Sequence, residues 1–190
     1  HNPLPTRAEA SDVANAIYDR TSAVMLSGEC AMGKYPVECV KTMVKIANRV
    51  EPEIDYWKRF KTNDNIDLTA LEEKIAYSTC VMAMNMSADA IVCYTHTGDS
   101  ARRLSGLGPQ CPIIAITDNR RTFNQLGLAW NVTPIYMEKQ ENIDKTVEAG
   151  IKKAIQKGIL EKGDMIVISG GAKMLAGAED SKIIGGIAQI

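Results

Sequence analysis

The chain has no excess of charge of either sign. Its 22 Lys and Arg stand against 23 Asp and Glu, leaving a formal net charge of −1. Both signs are spread along the sequence, so the electrostatic footprint of a nucleic-acid partner or an anionic membrane is missing. Long hydrophobic runs are also missing. Stretches such as Met165–Ser169 are far too short to cross a bilayer, and no secretory signal is visible. Five cysteines (Cys30, Cys39, Cys80, Cys93 and Cys111) form no CxxC spacing, which argues against zinc or a disulfide framework and predicts buried free thiols in a reducing cytosol. Histidine occurs twice, at His1 and His96. No Ser-His-Asp arrangement or metal-ligand spacing accompanies it. No internal repeat or low-complexity tract is present.

What remains is ordinary for a soluble globular protein: 45% apolar and 24% charged residues in a chain of 190, enough for one domain or for one domain plus a fragment of another. In the first 55 residues a helical spacing of Ala10, Val13, Ala14 and Ile17 predicts a helix over 7–19. A short apolar run, Ala23-Val24-Met25-Leu26, reads as a buried parallel strand ended by a Ser27-Gly28-Glu29 loop. Pro36 opens a second helix reaching about Val50. Residues 56–66 are polar and aperiodic, and predict a linker.

Beyond the linker, helices and strands alternate. Helices are predicted at 68–86, 99–107, 120–130 and 143–157, and strands at 88–94, 112–117, 132–137 and 165–169, with a fifth at 182–190. Such alternation implies βαβ units in a mostly parallel five-stranded sheet with helices on both faces, a three-layer α/β domain. Right-handed crossovers make it doubly wound. Met82, Met84 and Met86 share no helical face and read as core filling. The pairs Arg120-Arg121 and Lys152-Lys153 read as solvated faces.

The turn Thr95-His96-Thr97-Gly98-Asp99-Ser100 follows the first strand of that domain and opens a helix. Backbone N–H groups at a helix start, with hydroxyls and a glycine beside them, suit a phosphate group. The competing reading is a simple N-cap through Asp99 or Ser100, with His96 an exposed loop residue. Ser169-Gly170-Gly171, after the fourth strand, is placed to close the same crevice. A dinucleotide-binding oxidoreductase is disfavoured, because no GxGxxG follows the first strand.

Residues 2–40 read NPLPTRAEASDVANAIYDRTSAVMLSGECAMGKYPVECV. The combination of P-T-R-A-E and M-L-S-G-E closely resembles pyruvate kinase, and the remainder is similar to that family's C-terminal regulatory domain, collinear to about Gly171. The resemblance implies residues 1–55 as the end of a (β/α)8 catalytic barrel, in a helix-strand-helix remnant, 56–66 as linker and 67–190 as the C-terminal domain. It implies a cytoplasmic, homotetrameric parent that transfers a phosphoryl group from phosphoenolpyruvate to ADP, the last step of glycolysis, with Mg2+ and K+. The family's lysine, acidic metal ligands and threonine would fall upstream of residue 1, so this chain alone is expected to be inert and to bind no cofactor.

Within the barrel portion, the resemblance sets Ser27 and Glu29 near the nucleotide and phosphate side of the active site, against the alternative of a loop bonding its own backbone. Met32 stands where some members carry a lysine. Arg7 is implied to reach across a subunit interface, its alternative being a solvated charge. The segment Thr95, His96, Thr97, Gly98 and Ser100 is implied to hold the phosphate of an allosteric effector. Asp99, Thr146 and the run Ala178-Glu179-Asp180 depart from the pattern of sugar-bisphosphate-activated members, and carboxylates near one pocket repel a phosphate. A weak or altered effector is therefore expected unless lysines such as Lys173 or Lys182 compensate. The late strand and the helix near Ser100 are candidate tetramer contacts. A second reading remains open: a free-standing small-molecule-binding module without kinase activity.

Overall fold

The computed structural model describes residues 4–64 and 66–169, and the backbone of 185–189. Two compact units meet in sequence at Asp55 and Tyr56. The first unit comprises α1 (Arg7–Tyr18), α2 (Gly28–Ala31), α3 (Pro36–Val50) and a 3-10 turn at Glu51–Glu53. A capping box starts α1: the Thr6 hydroxyl accepts from the Glu9 N–H at 3.3 Å, and the Glu9 carboxylate accepts from the Thr6 N–H at 2.7 Å, which satisfies two otherwise orphaned donors. Pro36 is the first residue of α3, where its missing N–H has no partner to lose. A half-buried stripe at Cys39, Met43, Ile46 and Val50 recurs at helical spacing along α3, while Val37, Val40 and Val44 stay exposed.

Residues 23–26 do not form the expected strand; 23–27 carry no regular structure and Met25 is 84% exposed. The physical reason is pairing. A parallel strand must hand its N–H and C=O groups to neighbours, and no described strand of this unit stands beside it.

The second unit contains α4 (Tyr56–Lys61), α5 (Leu71–Asn85), β1 (Ala90–Tyr94), α6 (Asp99–Leu107), β2 (Ile113–Thr117), α7 (Arg120–Leu126), β3 (Val132–Tyr136), α8 (Ile143–Gln156), β4 (Met165–Ser169) and β5 (Gly185–Gln189). Its sheet has the order β3-β2-β1-β4-β5, with β1 to β4 parallel and β5 antiparallel on the edge. The chain builds outward from β1 through β2 to β3, then returns to lay β4 on the other side of β1. Strand order therefore reverses between β1 and β4, and ligands of such folds sit at the carboxyl ends of the strands there.

Both faces of the sheet are buried, which is why its central strands are continuous apolar runs instead of alternating ones. Ile91, Cys93, Ile113, Ala115 and Val167 meet α4, α5, α6 and α7 through Phe60, Cys80, Leu104 and Leu126. On the opposite face Ala90, Val92, Ile114, Ile116 and Ile166 meet α8 through Val147, Ile151 and Ala154. These are the expected three layers.

Several local expectations change. Residues 56–61, expected as linker, are helical, and Tyr56 and Phe60 are buried. Met82 and Met84 pack against the core, but Met86 is exposed. Arg120 and Lys153 are not merely solvated: the Arg120 guanidinium lies 3.8 Å from the Tyr136 ring centroid, and Lys153 Nζ donates to the Tyr136 carbonyl at 2.9 Å. The fourth change concerns the thiols. Cys80, Cys93 and Cys111 are buried as expected, whereas Cys30 and Cys39 are half-exposed.

Candidate functional site

The loop between β1 and α6 lies beyond the carboxyl end of β1, at the reversal point of the sheet. Its shape follows from three contacts. The buried Thr95 fixes the entry: its N–H donates to the Ile116 carbonyl and its hydroxyl accepts from the Gly98 N–H, at 2.9 and 2.8 Å. Gly98 caps α6 with φ of +90°, a conformation that side chains with a Cβ rarely adopt. A Cβ there would also sit 2.7 Å from a guanidinium nitrogen of Arg102. Thr97 then caps the turn, accepting from the Asp99 N–H at 3.4 Å and donating to Asp99 Oδ2 at 2.8 Å.

Two charged groups of α6 adjoin this loop. Asp99 Oδ1 lies 3.5 Å from a guanidinium nitrogen of Arg102, and the same nitrogen donates to the Thr97 carbonyl at 2.6 Å. The Asp99 charge is thus shared with a neighbouring cation, which softens the repulsion expected from the sequence. Thr146 is buried, and its hydroxyl is already engaged, donating to the Asn142 carbonyl and accepting from the Gln140 N–H. Ser169 ends β4 next to β1 and accepts from the Thr79 hydroxyl at 3.1 Å. Gly170, Gly171, Lys173, the run Ala178-Glu179-Asp180 and Lys182 lie outside the described residues.

A polar cluster adjoins the loop that sequence inspection did not single out. His96 Nδ1 donates to Asp118 Oδ1 at 2.6 Å, and the Tyr94 hydroxyl bonds the same carboxylate. Burial alone would raise the Asp118 carboxyl, but the hydrogen bonds from His96 and Tyr94 outweigh it and hold the group below its ordinary value. Burial, followed by the Asp118 charge and its hydrogen bond, pushes the Tyr94 hydroxyl up to about 12. Register explains the meeting. Tyr94 pairs with Ile116 across β1 and β2, so the residues two positions on, His96 and Asp118, emerge side by side. Nothing in the sequence gives this register until β1 and β2 are known to be parallel neighbours. Arg102 had a local signal, being three residues beyond Asp99 on one helix.

The first unit holds the other predicted residues. Ser27 precedes α2, and its N–H donates to Glu29 Oε2 at 2.9 Å. Backbone N–H groups of Glu29 itself and of Ser27 hold that carboxyl below its ordinary value. The carboxylate thus bonds the backbone of its own turn. Arg7 is exposed at the first position of α1. Among the described residues no group of three or more His, Cys, Asp or Glu side chains is disposed to hold a metal ion. No helix among them is long and apolar enough to cross a membrane.

Comparison with known proteins accounts for both units. The family described as pyruvate kinase, alpha/beta domain, matches residues 73–183, and the pyruvate kinase barrel domain matches residues 1–40. A pyruvate kinase of Clostridium acetobutylicum is 42% identical over 170 residues, covering 90% of this chain and 36% of that protein. One of Bacillus licheniformis is 42% identical over 176 residues, covering 93% of this chain and 30% of that protein. The chain therefore spans about a third of the length of these curated relatives. Among solved structures, a pyruvate kinase from Cryptosporidium parvum superposes with a TM-score of 0.88 at 29% identity, covering 99% of this chain and 37% of that one. Matched in sequence across most of its length and in fold across nearly all of it, the chain belongs to the pyruvate kinase family, of which it carries the end of the barrel domain and the α/β domain.

Proposed function

We propose that these residues are the regulatory and subunit-contact part of a cytoplasmic enzyme that moves a phosphoryl group from phosphoenolpyruvate to ADP, and that the Thr95–Ser100 loop takes the phosphate of a small effector. Residues 1–55 end the catalytic barrel and 67–190 form the regulatory domain. The observation that carries the effector reading is Gly98, held at φ +90° at the start of α6, which sets a helix N-terminus beyond the carboxyl end of β1 at the reversal point of the sheet. Thr95, His96, Thr97 and Ser100 surround that glycine. Arg7, exposed at the start of α1, is a candidate contact with a neighbouring subunit in a tetramer.

Phosphoryl transfer in this family needs an electrostatic clamp on the moving group. In the reading proposed here Ser27 and Glu29 lie at the edge of that clamp, and the lysine and acidic ligands that form it belong to the parts of the relatives beyond the match. Mg2+ and K+ are assigned with it to those parts. The 190 residues by themselves should form no pyruvate from phosphoenolpyruvate and ADP with Mg2+ and K+, followed by coupled lactate dehydrogenase. Turnover at ordinary kinase rates would overturn this division of labour.

Calorimetric titration tests the effector reading. Ribose 5-phosphate, AMP and fructose 1,6-bisphosphate should each bind weakly, because Asp99 opposes a phosphate and Arg102 is engaged with the loop carbonyl. Asp99→Lys exchanges a repulsion for an attraction and should tighten at least one of them about tenfold, equivalent to about 1.4 kcal/mol. Unchanged binding in that variant would remove the phosphate from this loop. The free-standing module reading is favoured only if binding is tight and no effect on a pyruvate kinase activity can be attached to it.

A further inference from the structure

Two cysteines stand apart from the other three. Cys30 lies in α2 and Cys39 in α3, both half-exposed, and the two helices pack against each other. Cys30 Sγ reaches the Pro36 carbonyl, 3.7 Å away, at the first residue of α3. Cys39 is three residues further along the same helix, on its half-buried stripe. Residues three apart share a helix face, and a helical side chain leans back over the preceding turn. The Cys39 thiol is thereby directed towards the carbonyl that the Cys30 thiol already touches. Their separation in sequence, with α2 on one side and the start of α3 on the other, closes a small ring around the turn at Gly33.

We propose that Cys30 and Cys39 are a paired dithiol that closes to an intramolecular disulfide, a modification site that ties the Ser27–Glu29 turn to the first turn of α3. The closure is thiol–disulfide exchange with a small disulfide as the oxidant. One cysteine thiolate attacks the reagent, forming a mixed disulfide and releasing one small thiol. The second cysteine then attacks the mixed disulfide, forming the protein S–S bond and releasing the second small thiol. Two protein S–H groups are oxidised, one reagent S–S bond is reduced, and the two protons end on the two released thiols.

The surroundings set its speed. Burial, then the neighbouring Cys30 and the carboxylates Glu29, Glu38 and Glu9, push the Cys39 thiol up. These come from α1, α2 and α3. Only the thiolate reacts, so closure should be slow at neutral pH and accelerate about tenfold per pH unit on the alkaline side until the thiols ionise.

The test is a non-reducing peptide map of the dilute 190-residue chain after treatment with 2-hydroxyethyl disulfide. Lys34 lies between the two cysteines, so trypsin separates peptides 21–34 and 35–41 unless a disulfide joins them. The expected result is that linked pair, lighter by two hydrogens than the sum of its parts, from a chain that remains monomeric on a non-reducing gel. In Cys39→Ser the link should vanish, and Cys30 should retain the reagent as an unresolved mixed disulfide. Wild-type chain carrying the reagent on both cysteines, links only between chains, or two unreacted thiols after prolonged alkaline treatment would each overturn the proposal.

Discussion

Phe60→Ala should destabilise the α/β unit by about 4 kcal/mol, within the ordinary range for deleting a buried phenylalanine. Phe60 is 3% exposed and joins the core cluster beneath the sheet. Its ring stacks on Tyr77 of α5 at 5.2 Å and takes an edge contact from Trp57 at 6.0 Å, so truncation removes aromatic packing as well as buried area. Helix α4 has six residues, too few to hold together without that anchor. Urea denaturation followed by far-UV circular dichroism would measure the loss. Leu128→Ala serves as the control: Leu128 is 70% exposed and should change stability by less than about 0.5 kcal/mol. A Phe60 variant as stable as that control would mean that α4 is not part of the core.

Helix α4 also shows where sequence inspection stops. Its anchors, Tyr56 and Phe60, are four residues apart with Trp57, Lys58, Arg59 and Lys61 around them, and six residues are too few to establish a period. Strands β1, β2 and β4 were legible because a sheet buried on both sides demands continuous β-branched runs. Helix α3 was legible from Pro36, and α6 from the turn that opens it; in the structure Gly98 and Gly108, both at positive φ, bracket that helix. The run at 23–26 has the composition of a buried strand as well, yet it carries no regular structure. Composition reports what a segment could bury, whereas strand formation depends on neighbours, which local sequence does not encode.

The candidate site divides in the same way. The Thr95–Ser100 loop could be found because hydroxyls and a glycine between a strand and a helix are local features. Asp118 could not, since its meeting with His96 depends on the register between β1 and β2. Asp99 is visible in the sequence as a charge, whereas its pairing with Arg102 is a feature of the folded loop. Arg102 converts a lone carboxylate into half of an ion pair, so the electrostatics of the loop are a property of its fold and not of its net composition.

Gly150→Val should cost about 3 kcal/mol, at the upper end of the usual overpacking range. Considered as a helix residue alone, Gly150 is a poor choice, and propensity predicts that replacing it by alanine gains as much as about 1 kcal/mol. The sheet reverses that sign. Helix α8 approaches β2 so closely at this point that a Cβ on Gly150 would lie 2.7 Å from Cγ1 of Ile116 and closer still to its Cδ1. Ile116 is fully buried, and it shares its layer with Ile135, Val147 and Ile151, in an interior packed as densely as protein cores are. Valine adds two methyl groups beyond that Cβ, so either Ile116 leaves its rotamer or α8 lifts away from the sheet. The second substitution Ile116→Ala separates this steric account from a loss of helix or of loop flexibility. On its own, Ile116→Ala should destabilise through the cavity it leaves. Combined with Gly150→Val, it should cost less than the sum of the two single changes, because each supplies the volume that the other lacks or fills. Strict additivity in urea unfolding of the four proteins would show that Gly150 is not there to let α8 close on the sheet.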